Sequence, residues 1–178
     1  MAHRDVAGAL LVGGGSTRFG STKALASFRD ETLGERAHRI LSEAFDHVIA
    51  VGKAGDRLPL PFPVLDDGSE LRAAAIGVAA ALRLAEAEVC VIVPTDMPFL
   101  TIPFLRSLAT AAEDADVAHP PTGPLPGAYR HAALPVLERR IAAGELALHR
   151  ALGELRTRVV DADALILRNV NTPDDLVA

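Results

Sequence analysis

Apolar side chains along this chain alternate between two spacings. Residues 6–12 form a continuous apolar run the length of a buried strand, and a glycine cluster from Gly13 to Gly20 follows it. Residues 33–45 switch to helical spacing, with Leu33, Ala37, Ile40, Leu41 and Ala44 on one face and Thr32 or Asp30 placed to cap the start. Residues 47–51 read as a second strand and 62–65 as a weaker third. Residues 69–84 are alanine-rich and helical. Residues 88–93 form a further buried strand, with Val89, Val91, Ile92 and Val93 all β-branched. Residues 101–112 predict a helix capped by Thr101, with Pro103 in the first turn, where a missing N–H costs nothing. Short strands follow at 117–118 and 125–129, the second entered through a Pro/Gly-rich turn. Residues 131–152 predict one helix, or two broken at Gly144. Edge elements are expected at 158–160 and 165–167, and a short helix at 172–177.

Strands that alternate with helices favour an α/β fold with a mostly parallel sheet covered on both faces. The 178 residues are expected to form a single domain, 1–178. The sequence carries no internal repeat, linker or low-complexity tract. Ligands of such sheets sit beyond the carboxyl ends of the strands, so the segments after Val12, Val51, Leu65 and Val93 are the ones to inspect.

Composition narrows the classes. A content of 49% hydrophobic and 23% charged residues is that of an ordinary globular protein. Aromatic residues make up 4% and Trp is absent, which argues against base-stacking platforms for single-stranded nucleic acid. The net charge of −5 means that any anionic ligand is gripped locally rather than by a global field. Cys90 is the single cysteine, so no internal disulfide forms and a reduced, cytoplasmic location is expected. The first residues lack a signal-peptide pattern, and no apolar run reaches the ~18 residues of a membrane span.

The chemistry concentrates in Leu11-Val12-Gly13-Gly14-Gly15-Ser16-Thr17-Arg18-Phe19-Gly20-Ser21-Thr22-Lys23. Consecutive glycines let the backbone approach a ligand, and successive N–H groups in such a turn make a concave anion site. Ser16 and Thr17 add hydroxyls, Arg18 a planar fork of donors, and Lys23 a compact positive charge. Apart from Lys53, every other strongly basic side chain is arginine, which singles Lys23 out. The loop is neither of two better-known phosphate loops. Ser21 stands where a P-loop needs its lysine, and Arg18 occupies the third glycine position of a dinucleotide fingerprint.

The buried strand at 88–93 runs into Val93-Pro94-Thr95-Asp96-Met97-Pro98. A carboxylate presented between two prolines just past a strand is a hard oxygen ligand of the kind that holds Mg²⁺. Asp66 and Asp67, also at a strand end, are placed to contact a base or sugar, to assist a metal, or to form a solvated turn pair. Asn169 and Asn171 put two amides on one side of a short strand, as phosphate or metal partners or as a helix-entry turn. The six histidines show no close metal-ligand spacing, and Cys90 reads as core.

Four segments together resemble the MobA-type molybdenum cofactor guanylyltransferases. They are the loop from Leu11 to Lys23, Thr95-Asp96-Met97-Pro98-Phe99-Leu100, Gly123-Pro124-Leu125-Pro126-Gly127-Ala128-Tyr129-Arg130 and Asn169-Val170-Asn171-Thr172-Pro173. The resemblance implies a Rossmann-like three-layer α/β/α sandwich of the nucleotidyltransferase, GT-A-like kind. It implies transfer of GMP from GTP to the phosphate of molybdopterin with release of pyrophosphate. It implies nucleotide contacts at Leu11, Val12, Gly13, Gly14, Gly15, Ser16, Lys23 and Asp67, and Mg²⁺ on Asp96. Asn169 and Asn171 would lie beside metal and acceptor, and Arg18, Lys23 and Asp96 would be the catalytic set.

The partners the resemblance implies are GTP and molybdopterin, with transient contact to molybdenum cofactor biosynthesis proteins or acceptor molybdoenzymes, and neither nucleic acid nor membrane. Gly13-Gly14 favours guanine over cytosine. Val12 replaces the family's usual alanine, and Glu70-Leu71-Arg72-Ala73-Ala74-Ala75 replaces its common Gly-Pro-Leu stretch. The same loop also serves nucleotidyltransferases of cytidylyl or sugar-phosphate type, and a GTP-binding accessory protein without catalysis would share it.

Overall fold

The computed structural model describes residues 5–13 and 23–176. Its centre is a seven-stranded sheet. Strand β1 (Val6–Leu11) lies between β4 (Val48–Gly52) and β6 (Val89–Pro94), paired in parallel with both. Beyond β4 lies β5 (Val64–Asp66), again parallel. On the other side β6 pairs antiparallel with β8 (Gly127–Arg130), β8 antiparallel with β7 (Val117–His119), and β7 parallel with β9 (Thr157–Val159). The order is therefore β5-β4-β1-β6-β8-β7-β9, with β8 alone reversed among them, which matches the mostly parallel sheet expected.

Alternation along the central strands sends side chains into two separate cores. Leu10 of β1 and Val89, Val91 and Val93 of β6 meet α1 (Leu33–Ala44) and α3 (Ile102–Ala111) through Ile40, Leu41, Leu105 and Leu108. Ala7 and Ala9 of β1 and Cys90 and Ile92 of β6 face the other way. They meet α2 (Ala74–Leu84), α4 (Leu134–Ala142) and α5 (Leu148–Ala151) through Val78, Leu82, Leu137 and Leu148. Each large aliphatic side chain so buried contributes about 1.5–3 kcal/mol. The result is three layers, helix on sheet on helix, with both faces covered as a parallel sheet requires.

Helix α1 opens on the expected cap in its full reciprocal form. The Glu35 N–H donates to Thr32 Oγ1 at 3.2 Å, and the Thr32 N–H donates to Glu35 Oε2 at 2.8 Å. Thr101 caps α3 by accepting from the Phe104 N–H, with proline in the first turn as predicted.

Four elements differ from the sequence reading, and a fifth, at 131–152, takes one of its two alternatives. The helix expected from residue 69 begins only at Ala74, because backbone groups of 69–71 are engaged elsewhere. The Lys53 ammonium takes the carbonyls of Ser69 and Leu71, and the Leu71 N–H donates to Ser69 Oγ. The stretch at 131–152 is broken, as one of its two readings allowed. A 3-10 turn at His131–Ala133 leads into α4, and Gly144 at φ +78° ends that helix before α5. Residues 165–167 are a turn rather than an edge strand, pinned by Asp163, whose carboxylate accepts the Leu165 N–H. The last element is a 3-10 turn, Pro173–Leu176. The ribbon of β2 (Ser27–Phe28) and β3 (Glu31–Thr32) was not foreseen. Its strands have two residues each, too few for a period to register, and Arg29 turns the chain at φ +56° without a glycine.

Candidate active site

The carboxyl ends of β5, β4, β1 and β6 lie side by side, and of the predicted site residues Leu11, Val12, Gly13, Asp67 and Asp96 fall there. Val12 continues β1 by donating its N–H to the Val51 carbonyl at 2.8 Å. Leu11 and Val12 thus bring the chain to Gly13, which is exposed at the sheet edge. Gly14, Gly15, Ser16 and Arg18 lie outside the described residues.

Lys23 re-enters at a 3-10 turn, Lys23–Leu25, and reaches across to β6. Its ammonium lies 3.3 Å from Asp96 Oδ2 and 3.2 Å from Asn171 Oδ1. Asp96 sits just past β6, and its main-chain carbonyl accepts the Val170 N–H at 2.8 Å, which ties the C-terminal segment to the site. Asn171 is held in turn by its N–H on Asp175 Oδ2 at 2.8 Å; that bond and a second from the Thr172 N–H keep the Asp175 carboxyl below its usual range. Lys23, Asp96 and Asn171 are thereby brought into one hydrogen-bonded cluster. Asn169 is exposed, in an irregular segment rather than a strand.

Asp96 Oδ1 is buried and has no hydrogen-bond partner among the described residues. A desolvated carboxylate oxygen in that condition is costly unless a cation or donor meets it. The described residues contain no group of three or more His, Cys, Asp or Glu that could hold a metal by themselves. One carboxylate with an unsatisfied oxygen is instead the donor set that suits magnesium, which keeps waters and is completed by substrate phosphates.

Asp67 lies at the other side of the edge. It is buried, and its Oδ1 accepts from Lys53 Nζ at 2.7 Å and from the Ser69 N–H at 3.0 Å. Lys53 also donates to the Leu71 carbonyl at 2.7 Å and to that of Ser69. Sequence reasoning noted Lys53 only as the other lysine; that scarcity was the one available signal of its role. Asp66 points away from this pair. Its carboxylate accepts the N–H groups of Gly68 and Ala54, which lower its pKa. The solvated turn pair allowed by the sequence is thus excluded for Asp67. Close approach of β1 and β4 is possible here because position 52 is glycine: a Cβ on Gly52 would stand 2.2 Å from the Val12 carbonyl oxygen.

Beside Gly13 a further pair closes the edge. Arg72 donates from both terminal nitrogens to Asp56, at 2.6 and 3.0 Å, and the hydrogen bonds from Arg72 lower the Asp56 pKa. A Cβ on Gly13 would lie 3.7 Å from Asp56 Oδ2 and 4.0 Å from Arg72 Nη1. The stretch at 70–75, which departs from the family pattern in sequence, therefore delivers a guanidinium to the start of the glycine loop.

The motif at 123–130 works within the fold. Tyr129 is fully buried and donates its hydroxyl to the Pro124 carbonyl at 2.7 Å, and burial pushes its pKa upward. His119 lies against the Pro120 carbonyl and His131 is exposed. Cys90 is core as expected, its thiol pushed up to about 12 by burial. No helix among the described residues is long and apolar enough to cross a membrane.

Comparison with known proteins follows this geometry. Residues 8–159 match the family model of the MobA-like NTP transferase domain. The chain is 31% identical to a protein of Chloroflexus aggregans named a probable molybdenum cofactor guanylyltransferase, covering 98% of this chain and 93% of that one. It is 29% identical to the molybdenum cofactor guanylyltransferase of Desulfosudis oleivorans, covering 96% and 92%. The crystal structure of molybdopterin-guanine dinucleotide biosynthesis protein A from Archaeoglobus fulgidus superposes with a TM-score of 0.83 at 26% identity, covering 96% and 95%.

Proposed function

The chain belongs to the MobA-like NTP transferase family, and on that premise we propose that it transfers GMP from GTP to the phosphate of molybdopterin. The observation that carries this reading is the cluster of Lys23, Asp96 and Asn171 at the strand ends, with Asp96 Oδ1 left without a partner among the described residues. In the reaction an acceptor phosphate oxygen attacks the α-phosphorus of GTP in line. A new P–O bond forms, the bond between the α-phosphorus and its bridging oxygen breaks, and that oxygen leaves with pyrophosphate. Such a displacement needs positioning and charge stabilisation more than covalent help from the protein.

On this reading each candidate residue takes a role. Leu11, Val12 and Gly13 carry the nucleoside to the sheet edge, and Asp67, fixed by Lys53, reads it from the β5 side. Gly14, Gly15, Ser16 and Arg18 supply backbone and side-chain donors to the phosphates. Lys23 orients the Asp96 carboxylate and offers positive charge to the pyrophosphate side. Asp96 would hold Mg²⁺ through its unsatisfied oxygen, with Asn171 and Asn169 beside it. When bound there, magnesium would supply charge neutralisation for the phosphate oxygens.

Calorimetric titration of GTP, CTP, ATP and UTP with magnesium, followed by pyrophosphate release on addition of molybdopterin, tests the proposal. GTP-selective binding and release that depends on molybdopterin are expected. Preference for CTP would move the chain to cytidylyl transfer. GTP binding without release would make it an accessory protein.

A further inference from the structure

Beyond Asp96 the chain builds a second cationic feature that the nucleotide does not account for. Phe99, three residues past Asp96, is partly exposed and meets Phe28 edge to face, with ring centroids 5.7 Å apart. Phe28 is buried, and the Arg36 guanidinium lies 5.2 Å from its centroid. Arg36 is locked there by its Nε donating to the Pro98 carbonyl at 2.6 Å and by an ion pair with Glu31. On Phe99 sits the guanidinium of Arg168, 5.8 Å from the ring centroid. Arg168 immediately precedes Asn169-Val170-Asn171, the segment that grips the Asp96 carbonyl and the Lys23 ammonium.

Several arginines spend their donors on carboxylates, as Arg72 does on Asp56, Arg130 on Glu88 and Arg156 on Asp116, and Arg106 spends its own on backbone carbonyls. Arg168 is partly buried; its N–H donates to the Leu165 carbonyl at 3.2 Å, and its guanidinium makes no hydrogen bond or ion pair among the described residues, resting on Phe99 alone. A carboxylate that feels its charge, Asp175, is turned to the N–H groups of Asn171 and Thr172. A guanidinium fixed on an aromatic ring with its donors unspent is pre-organised for a planar, bidentate grip on a phosphate.

Its position decides which phosphate. Asp67 follows β5 and Asp96 follows β6, three strand spacings away, or roughly 14 Å at about 4.8 Å each. A nucleotide read near Asp67 and Gly13 reaches Asp96 with its phosphates, and Arg168 lies on the Phe99 side of that point. We propose that Arg168, stacked on Phe99, anchors the phosphate of the acceptor rather than the triphosphate. The proposal rests on the nucleotidyl-transfer reading above and adds to it the residue that distinguishes the two substrates.

The test measures binding without turnover. The protein is saturated with α,β-methylene-GTP, which cannot release pyrophosphate, and molybdopterin is titrated in by its fluorescence. Arg168→Ala is expected to weaken molybdopterin binding about 10- to 100-fold, the loss of one or two charge-assisted hydrogen bonds. Arg168→Lys should recover part of it, and nucleotide affinity should stay within about twofold of wild type. Arg83→Ala is the control for a lost charge, since Arg83 lies in the last turn of α2, which leads into the start of β6 and so lies at the far end of that strand from Asp96. Where the alanine variant does not fold, Arg168→Gln keeps the stem on Phe99 and removes the charge. Unchanged molybdopterin affinity overturns the proposal, and so does an equal loss for the nucleotide, which would place Arg168 on the triphosphate. A wild type that binds no nucleotide would instead sink the transfer reading, and this inference with it.

Discussion

The ammonium of Lys23 stands 3.3 Å from Asp96 Oδ2 across 73 residues of sequence, and the same ammonium meets Asn171 across 148. The pair is only about one-fifth exposed, so it sits in a medium where charge interactions are stronger than in water. Replacing Asp96 by asparagine keeps the shape, removes the charge and leaves Lys23 facing a neutral amide. Turnover should fall by at least ~100-fold, the scale of losing one pre-organised electrostatic group. Pyrophosphate release under saturating GTP and acceptor measures it, and near-normal turnover in a folded variant would take Asp96 out of the mechanism.

Lys53 and Asp67 make the most enclosed ion pair of the site, at 13% and 8% exposure. Lys53→Met leaves a carboxylate buried with no counter-charge and frees the carbonyls of Ser69 and Leu71. Breaking a buried pair in this way costs about 3–5 kcal/mol. Urea unfolding should show a loss in that range, with partial recovery in the Lys53→Met/Asp67→Asn double variant. A loss below about 1 kcal/mol would mean that water already solvates the pair.

Gly52→Ala tests the seam between β1 and β4. The added methyl would meet the Val12 carbonyl at 2.2 Å, so the backbone must move. Stability should fall by about 1–3 kcal/mol, as for overpacked sites. Because Val12 leads directly into Gly13, GTP affinity should fall with it. Calorimetry on the folded fraction that shows unchanged affinity would separate the seam from the nucleotide site.

Asp116 ties the edge strand β9 to its neighbour β7. Its carboxylate accepts from the Arg156 side chain at 2.8 Å and from the Arg156 N–H at 2.9 Å, which hold its pKa below the ordinary 3.8. A carboxylate with a depressed folded pKa adds stability above its unfolded value and loses it as pH falls through the folded value. Asp116→Asn should therefore lower the unfolding midpoint at pH 7 and converge with wild type once the pH falls below the ordinary carboxylate range, through the depressed folded pKa. A pH-independent gap between the two midpoints would assign the effect to shape rather than charge.

The sequence by itself determined the layers and most of the chemistry. Val89, Val91 and Val93 alternate with Cys90 and Ile92, which makes β6 a two-faced central strand before any contact is known. A glycine cluster after a short apolar run singles out the segment past β1, and Asp96 between two prolines marks a presented carboxylate. These signals are local, because backbone period and turn chemistry are properties of neighbouring residues.

What only the tertiary structure decided are the partnerships across distance. Nothing near Lys53 in sequence shows that it reaches Asp67 and two carbonyls of the 69–71 stretch, and those bonds are what delay α2 to Ala74. Arg72 meets Asp56 beside Gly13, and Arg168 meets Phe99, for the same reason. The parallel order β5-β4-β1-β6 gathers strand ends from separate parts of the chain at one edge. A long side chain then finds its charge or ring in space, where sequence spacing carries no record of the meeting.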